Sequence, residues 1–202
     1  MDPEGVKGGS GPSVEVRVLC KLMVGEESCL RKPWYEVHHP EETPPPGEMA
    51  RKLELHRAAH VAQALQSVSR APFDRNVRIA LRDPPLWASV DALRTSAGGT
   101  EFYEVVEGSP GEDQVLRVQL ELLLLSRRAA QHPPITGHLL SSHGDRAFRE
   151  GEPDHGLLAR AEPFLSEILG GARPRPVPSA TCGVCWADCP LAEGRDRSPR
   201  VC

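Results

Sequence analysis

Apolar positions recur at helical spacing in the segment 48–70, EMARKLELHRAAHVAQALQSVSR, and indicate an amphipathic helix. Six apolar side chains share one face of this helix: Leu55, Ala58, Val61, Ala62, Leu65 and Val68. Four side chains share the opposite face: Met49, Leu53, His56 and His60. We therefore expect both faces of the helix to be partly buried.

Two further segments have a helical pattern. From Asp113 to about Arg128 the apolar residues again fall on one face, with Gln119 beside them. The segment 154–169, DHGLLARAEPFLSEIL, predicts a last helix with a proline near its middle. The proline-rich stretch 38–48 is a loop, because consecutive prolines remove backbone donors and disfavour helix.

Short runs of β-forming residues predict five strands. Three precede the second helix, at 77–81, 86–94 and 101–107, and the last two of these are separated by TSAGG, which favours a hairpin. The runs PITGHLLSS and DRAFRE predict another strand pair before the last helix. The order of elements predicts an α/β fold, as one domain over residues 13–191 between short tails at 1–12 and 192–202.

Composition narrows the class of protein. A chain of 202 residues that is 39% hydrophobic is long enough for one compact core. The first residues are polar and Gly-rich, and the apolar run at 120–125 is too short to span a bilayer, so we expect a soluble, cytoplasmic protein with no membrane partner. The net charge of -4 argues against a broad basic surface, and no lysine follows Lys52.

The cysteines near the end of the chain predict a metal or cluster site. Cys182, Cys185 and Cys189 have the spacing C-x2-C-x3-C, which lets thiolates grip one metal. Cys20, Cys29 and Cys202 are the candidates for a fourth ligand, and we choose Cys29 because basic and aromatic residues surround it in SCLRKPWYEV. Spacing and ligand softness fit zinc and an iron-sulfur cluster equally well.

The succession of these motifs resembles the RecB-like PD-(D/E)xK nucleases. More narrowly, it is similar to the CRISPR-associated exonucleases that hold an iron-sulfur cluster with four cysteines. The features that carry the resemblance are SCLRKPWYEV, the helix bearing histidines, Asp91 on a strand, an acidic residue ending the next strand, Gln119 and the cysteine triplet. They cover the chain from about 14 to 191.

The resemblance implies a fold, a site and cofactors. The fold is a restriction-endonuclease-like core, in which helices flank a mixed sheet and a cysteine-cluster cap joins the N- and C-terminal segments. A catalytic Mn2+ or Mg2+ ion would be bound by Asp91, Glu107 and either His56 or His60, with Gln119 also in the catalytic set. Glu104 is the alternative to Glu107. The ligands of a 4Fe-4S cluster, or of zinc, would be Cys29, Cys182, Cys185 and Cys189.

The sequence departs from the family at the motif lysine. The residue two positions after Glu107 is Ser109, and two positions after Glu104 it is Val106. Removing such preorganised stabilisation typically costs a hundredfold or more in rate. Arg94 or Arg117 could approach the site, but a guanidinium cannot exchange a proton with water as an amine does.

Each candidate residue also has a structural interpretation. Asp91 could form a salt bridge to a nearby arginine, and Trp34 and Tyr35 could either stack a base or pack beside Cys29. Three functions stay open. The first is hydrolysis of single-stranded DNA during CRISPR spacer acquisition, in antiviral defence with the integrase complex as partner. The second is an inactive adaptor that binds DNA or a protein, and the third is a zinc-stabilised interaction domain.

Overall fold

The computed structural model describes residues 12–42, 47–69, 71–128, 134–151 and 156–177. Within them the α-helices are α1 (Val16–Met23), α2 (Arg31–His38), α3 (Glu48–Val68), α4 (Glu112–Arg128) and α5 (Gly156–Leu169), with a short 3-10 helix at Pro40–Glu42. The strands are β1 (Val14–Glu15), β2 (Asp74–Ala80), β3 (Leu86–Ser96), β4 (Gly99–Val105), β5 (Ile135–Ser141) and β6 (Gly144–Arg149). No helix in these ranges is long and apolar enough to cross a membrane.

The strands form one mixed, six-stranded sheet. Strand β3 pairs with β2 along one edge. Along its other edge it pairs first with β1, at Trp87, and then with β4, from Ala92 onward. The sheet then continues through parallel β5 to antiparallel β6. The predicted mixed α/β fold, the hairpin β3–β4, the pair β5–β6 and the helices α4 and α5 are confirmed.

The sheet has a helical layer on each face. Phe102 and Tyr103 are neighbours on β4, so their side chains point to opposite faces. Phe102 packs into the larger core, which includes buried residues of α1, α4 and α5. Tyr103 packs into a smaller core with Val61 and Leu65 of α3. Helix α3 therefore lies alone on its face, as far as the described residues go.

The expectation that both faces of α3 are partly buried is wrong. Met49, Leu53 and Leu55 are 70%, 63% and 71% exposed, and the buried side chains of the helix are Val61 and Leu65. The helix reaches the sheet with its C-terminal half, while its first nine residues are all exposed on the described part of the molecule. Helical spacing predicted the helix correctly, but it did not predict which part of the helix packs against the sheet.

Two helices near the start were not predicted. Helices α1 and α2 have eight residues each, and neither begins with a side-chain cap or an acidic first turn, so the usual start signals are missing. Val16, Leu19 and Cys20 of α1 are fully buried beneath α4. On α2, Trp34 is buried and donates from Nε1 to the carbonyl oxygen of Gly170 at 2.9 Å.

The alternation of β3 changes phase at Asp91. Val90 belongs to the core on the α4 side, and Ala92, two residues on, belongs to the core on the α3 side. Opposite Asp91 on β2, Asn76 has a φ of 49°, in the left-handed region. Such local irregularities re-aim side chains in a strand. The result is that a side chain of the α3 layer, Arg57, can reach the Asp91 carboxylate.

Candidate acidic site closed by arginines

Asp91 and Glu104 form the centre of the candidate site. The β3–β4 register ends at the pair Ala92 and Tyr103, and Asp91 and Glu104 are the next residue on each strand beyond it. The backbone N–H of Asp91 donates to Oε1 of Glu104 at 3.3 Å, and the backbone N–H of Val105 donates to Oδ2 of Asp91 at 2.8 Å. The two acidic residues are 7% and 2% exposed, so each requires a compensating partner.

The partner of Asp91 comes from α3. Nη2 of Arg57 donates to Oδ1 and Oδ2 of Asp91 at 2.9 and 2.8 Å, and it lies 3.8 Å from Oε2 of Glu104. This is the salt bridge that the sequence offered as the structural interpretation of Asp91. Arg57 is the residue directly after His56, and sequence reasoning assigned it no role.

The partner of Glu104 comes from α4, on the other face of the sheet. Nη2 of Arg117 donates to Oε1 of Glu104 and to the backbone oxygen of Ser89, each at 2.8 Å. Nε of Arg117 donates to Oε1 of Glu121 at 2.8 Å. Arg117 therefore does approach the site, whereas Arg94 forms its ion pair with Glu101.

Burial sets the ionisation of this network. Loss of hydration raises the pKa of Glu104 well above its ordinary value, and the nearby Glu121 raises it further while Arg117 lowers it. Burial likewise raises the pKa of Glu121 to about 7, against the opposing effect of Arg117. For Arg117, burial disfavours the charged form, but Glu121 and Glu104 outweigh it, so its pKa is raised and its charge is retained.

The arrangement does not fit a divalent ion at Asp91. Both carboxylate oxygens of Asp91 accept hydrogen bonds from Arg57, and Oε1 of Glu104 accepts one from Arg117. Hard cations take oxygen ligands that are free of such donors, and a guanidinium already supplies positive charge at this position. In the described part of the chain, no three His, Cys, Asp or Glu side chains come together in a way that could hold a metal ion.

Glu107 and His56 lie together at the surface. Glu107 follows the end of β4, and its Oε1 is 3.5 Å from Nδ1 of His56, with the two side chains 59% and 73% exposed. His60 is half-buried one turn further along α3. The structure thus places Glu104, the alternative acidic residue, beside Asp91, while Glu107 is paired with a histidine at the surface.

Three further positions bear on the predicted catalytic set: Gln119, and Val106 and Ser109 where the family has its motif lysine. Helix α4 turns about 100° per residue, so Gln119 is about 200° round the helix from Arg117 and faces away from the carboxylates. Val106 is half-buried, and its N–H donates to the backbone oxygen of Leu140 at 2.9 Å. Ser109 is exposed, with Oγ 2.8 Å from Nε2 of His143. Neither position supplies a cation.

The structure describes two of the six cysteines. Cys20 and Cys29 are both buried and free, and burial, with a further contribution from Glu121, raises the pKa of the Cys20 thiol. The Cys29 N–H donates to Oε1 of Glu27 at 3.0 Å. Cys182, Cys185, Cys189 and Cys202 lie outside the described residues, as do the tails at 1–11 and 192–202. The 4Fe-4S cluster and its zinc alternative stay predictions.

A sequence signal for the missed residues did exist. Glu121 interrupts the apolar run of α4, and a carboxylate on a buried helix face requires a cation nearby. Arg117 is four residues earlier, one turn away on the same face. The pair was therefore predictable from the sequence, whereas Arg57 lies on a mostly exposed helix and gave no comparable signal.

Comparisons with solved structures show a similarity of fold. The chain is similar to the crystal structure of SSO0001, with a TM-score of 0.50 and 16% sequence identity, over 92% of this chain and 89% of that one. It also matches the crystal structure of LHK-Exo in complex with dAMP, with a TM-score of 0.44 and 15% identity, over 78% of this chain and 86% of that one. No family model and no curated protein sequence matches. The chain therefore shares the fold of SSO0001.

Proposed function

We propose that this protein is a RecB-like nuclease-fold protein that binds single-stranded DNA without hydrolysing it and acts as a DNA-binding adaptor. The proposal depends on two sets of hydrogen bonds. Arg57 donates to the carboxylate of Asp91, and Arg117 donates to the carboxylate of Glu104. Asp91 and, as the alternative to Glu107, Glu104 are the carboxylates to which the resemblance assigns a catalytic metal ion. Their oxygens, however, are engaged by the protein's own cations.

The lack of a lysine at the motif position supports the same proposal. Lys32 and Lys52 are near Glu36 and Glu48 on their own helices, and the position two residues after Glu104 is Val106. A nuclease of this type needs a group that orients the attacking water and offsets charge on the phosphate. A permanently charged guanidinium that is held by a carboxylate does not supply that function.

Basic and aromatic groups beside β3 support DNA as the ligand. Arg75 is exposed on β2 opposite Ala92, the residue after Asp91. The Arg78 guanidinium lies 4.4 Å from the ring centroid of Trp87, a cation–π contact. Basic groups combined with aromatic rings are typical of surfaces that bind unpaired strands. We also propose the CRISPR integration complex as the partner, on the resemblance alone.

Hydrolysis and binding can be separated in one experiment. Anaerobically purified protein is mixed with labelled single-stranded DNA and Mn2+, and both the retarded complex and the cleaved product are measured. We expect a complex and no product. Mn2+-dependent product that disappears in Glu104→Gln but persists in Glu107→Gln would show that the enzyme is active and that Glu104 is its acidic residue. Absence of any complex would refute DNA binding.

A further inference from the structure

Some N–H donors of the Arg57 guanidinium do not take part in its hydrogen bonds to Asp91. Of its five N–H groups, those on Nη2 are used by Asp91. Nη1 and Nε have no partner within the described ranges. The side chain is 39% exposed, whereas that of Asp91 is 9% exposed, so the guanidinium covers the carboxylate and presents its remaining edge outward.

That free edge has the chemistry of a phosphate site. A guanidinium presents parallel N–H donors that match two oxygens of a phosphate, and it keeps its charge at every physiological pH. The position is also the one at which the resemblance puts a metal ion, whose role would be to bind a phosphate oxygen. Arg57 supplies a positive charge at that place from the protein itself.

We propose that Arg57 binds a backbone phosphate of single-stranded DNA directly, in place of a divalent ion. This inference rests on the proposed DNA-binding function and specifies its ligand contact. Asp91 accepts two hydrogen bonds from Nη2 and competes with the phosphate for the charge of this guanidinium, so the two residues have opposite effects on affinity.

The test is the salt dependence of binding, measured by fluorescence anisotropy with a labelled single-stranded oligonucleotide in EDTA. Loss of one phosphate contact lowers the slope of log K against log salt by about 0.7 for a single strand. We expect Arg57→Gln to show that loss and to bind about tenfold more weakly. Arg57→Lys should retain the slope. Arg160→Gln, which removes an exposed arginine from α5 in the other helical layer, should match the wild type.

Asp91→Asn distinguishes phosphate binding from a merely structural role. If Arg57 contacts phosphate, removal of the competing charge should leave the affinity unchanged or raise it. If Arg57 only supports the fold, Asp91→Asn should weaken binding as Arg57→Gln does, and that result would overturn the inference. An unchanged slope in Arg57→Gln, or wild-type binding that requires Mn2+, would overturn it as well. Failure of the wild type to bind DNA at all would instead refute the proposed function.

Discussion

Arg117 and Glu121 form a buried ion pair one turn apart on α4, with Nε of the arginine 2.8 Å from Oε1 of the glutamate. The second oxygen of this carboxylate, Oε2, has no hydrogen-bond partner among the described residues. A half-satisfied, fully buried carboxylate is costly when ionised. The pair therefore makes the stability of the protein sensitive to pH.

We expect Glu121→Gln to gain stability relative to the wild type as pH rises from 5 to 7. Burial raises the folded-state pKa of Glu121 from 4.5 to about 7, so between these values folding takes up a proton. The wild type then loses about 2 kcal/mol of stability between pH 5 and 7, out of about 3 kcal/mol for the whole shift, and glutamine does not titrate. Urea unfolding at several pH values measures the difference.

Glu101→Gln is the matched control for that series. The hydrogen bond from Arg94, aided by charge attraction, holds the pKa of Glu101 below its ordinary value. Its stabilising effect is therefore fully present above about pH 4.5 and is lost only below that, so the offset from the wild type should be constant between pH 5 and 7. A pH-independent offset for Glu121→Gln as well would contradict the prediction.

Leu65→Ala and Leu55→Ala should have very different effects although both lie on α3. Leu65 is 1% exposed against the sheet, and its truncation is expected to cost about 2–5 kcal/mol. Leu55 is 71% exposed, so its truncation should change the free energy of unfolding by less than about 0.5 kcal/mol. Denaturant midpoints of the two variants test this. Equal losses would mean that another part of the chain covers Leu55.

Gly137→Ala should destabilise the sheet. A Cβ at Gly137 would lie 2.5 Å from Cζ of Phe102 and 2.9 Å from Cγ1 of Val118, so β5 or α4 would have to move. Overpacking of this kind costs about 1–3 kcal/mol. Gly98→Ala is the control, because a Cβ there would meet only Oγ of Ser96, at 3.7 Å. Thermal unfolding should separate the two variants.

Mn2+ should not stabilise the wild type through Asp91, because Arg57 holds both oxygens of that carboxylate. Arg57→Gln removes the competing cation, and we expect Mn2+ to raise the melting temperature of this variant through binding to the folded state. The double variant with Asp91→Asn should lose that response, which controls for ions bound elsewhere, including at the cysteines. A response of the wild type equal to that of Arg57→Gln would contradict the prediction.

The sequence predicted the elements well and the contacts of the site only in part. Apolar periodicity located α3, α4 and α5, and turn residues located the β3–β4 hairpin. The choice between Glu104 and Glu107 depended on register. The turn at Ala97–Gly98 places Glu104 beside Asp91, whereas pairing with Glu107 would require a turn centred on Gly99. Composition cannot distinguish these, since TSAGG permits either.

The arginines were harder to assign for a different reason. A basic residue on an exposed helix is usually solvated, and nothing in the spacing of α3 distinguishes Arg57 from Arg51. Its role depends on the phase change of β3 at Asp91, which turns that carboxylate toward the α3 layer. Such an irregularity arises from tertiary packing and is not encoded in any local pattern.

The ion pairs also connect the two sides of the sheet. Arg57 lies on the α3 side, Glu121 lies on the α4 side, and Glu104 lies between them with Arg117. An anion that drew Arg57 away from the carboxylates would alter the electric field at Glu104 and, through Arg117, the proton affinity of Glu121. Occupancy of the α3 side would thus change the charge carried by α4 on the opposite face of the sheet.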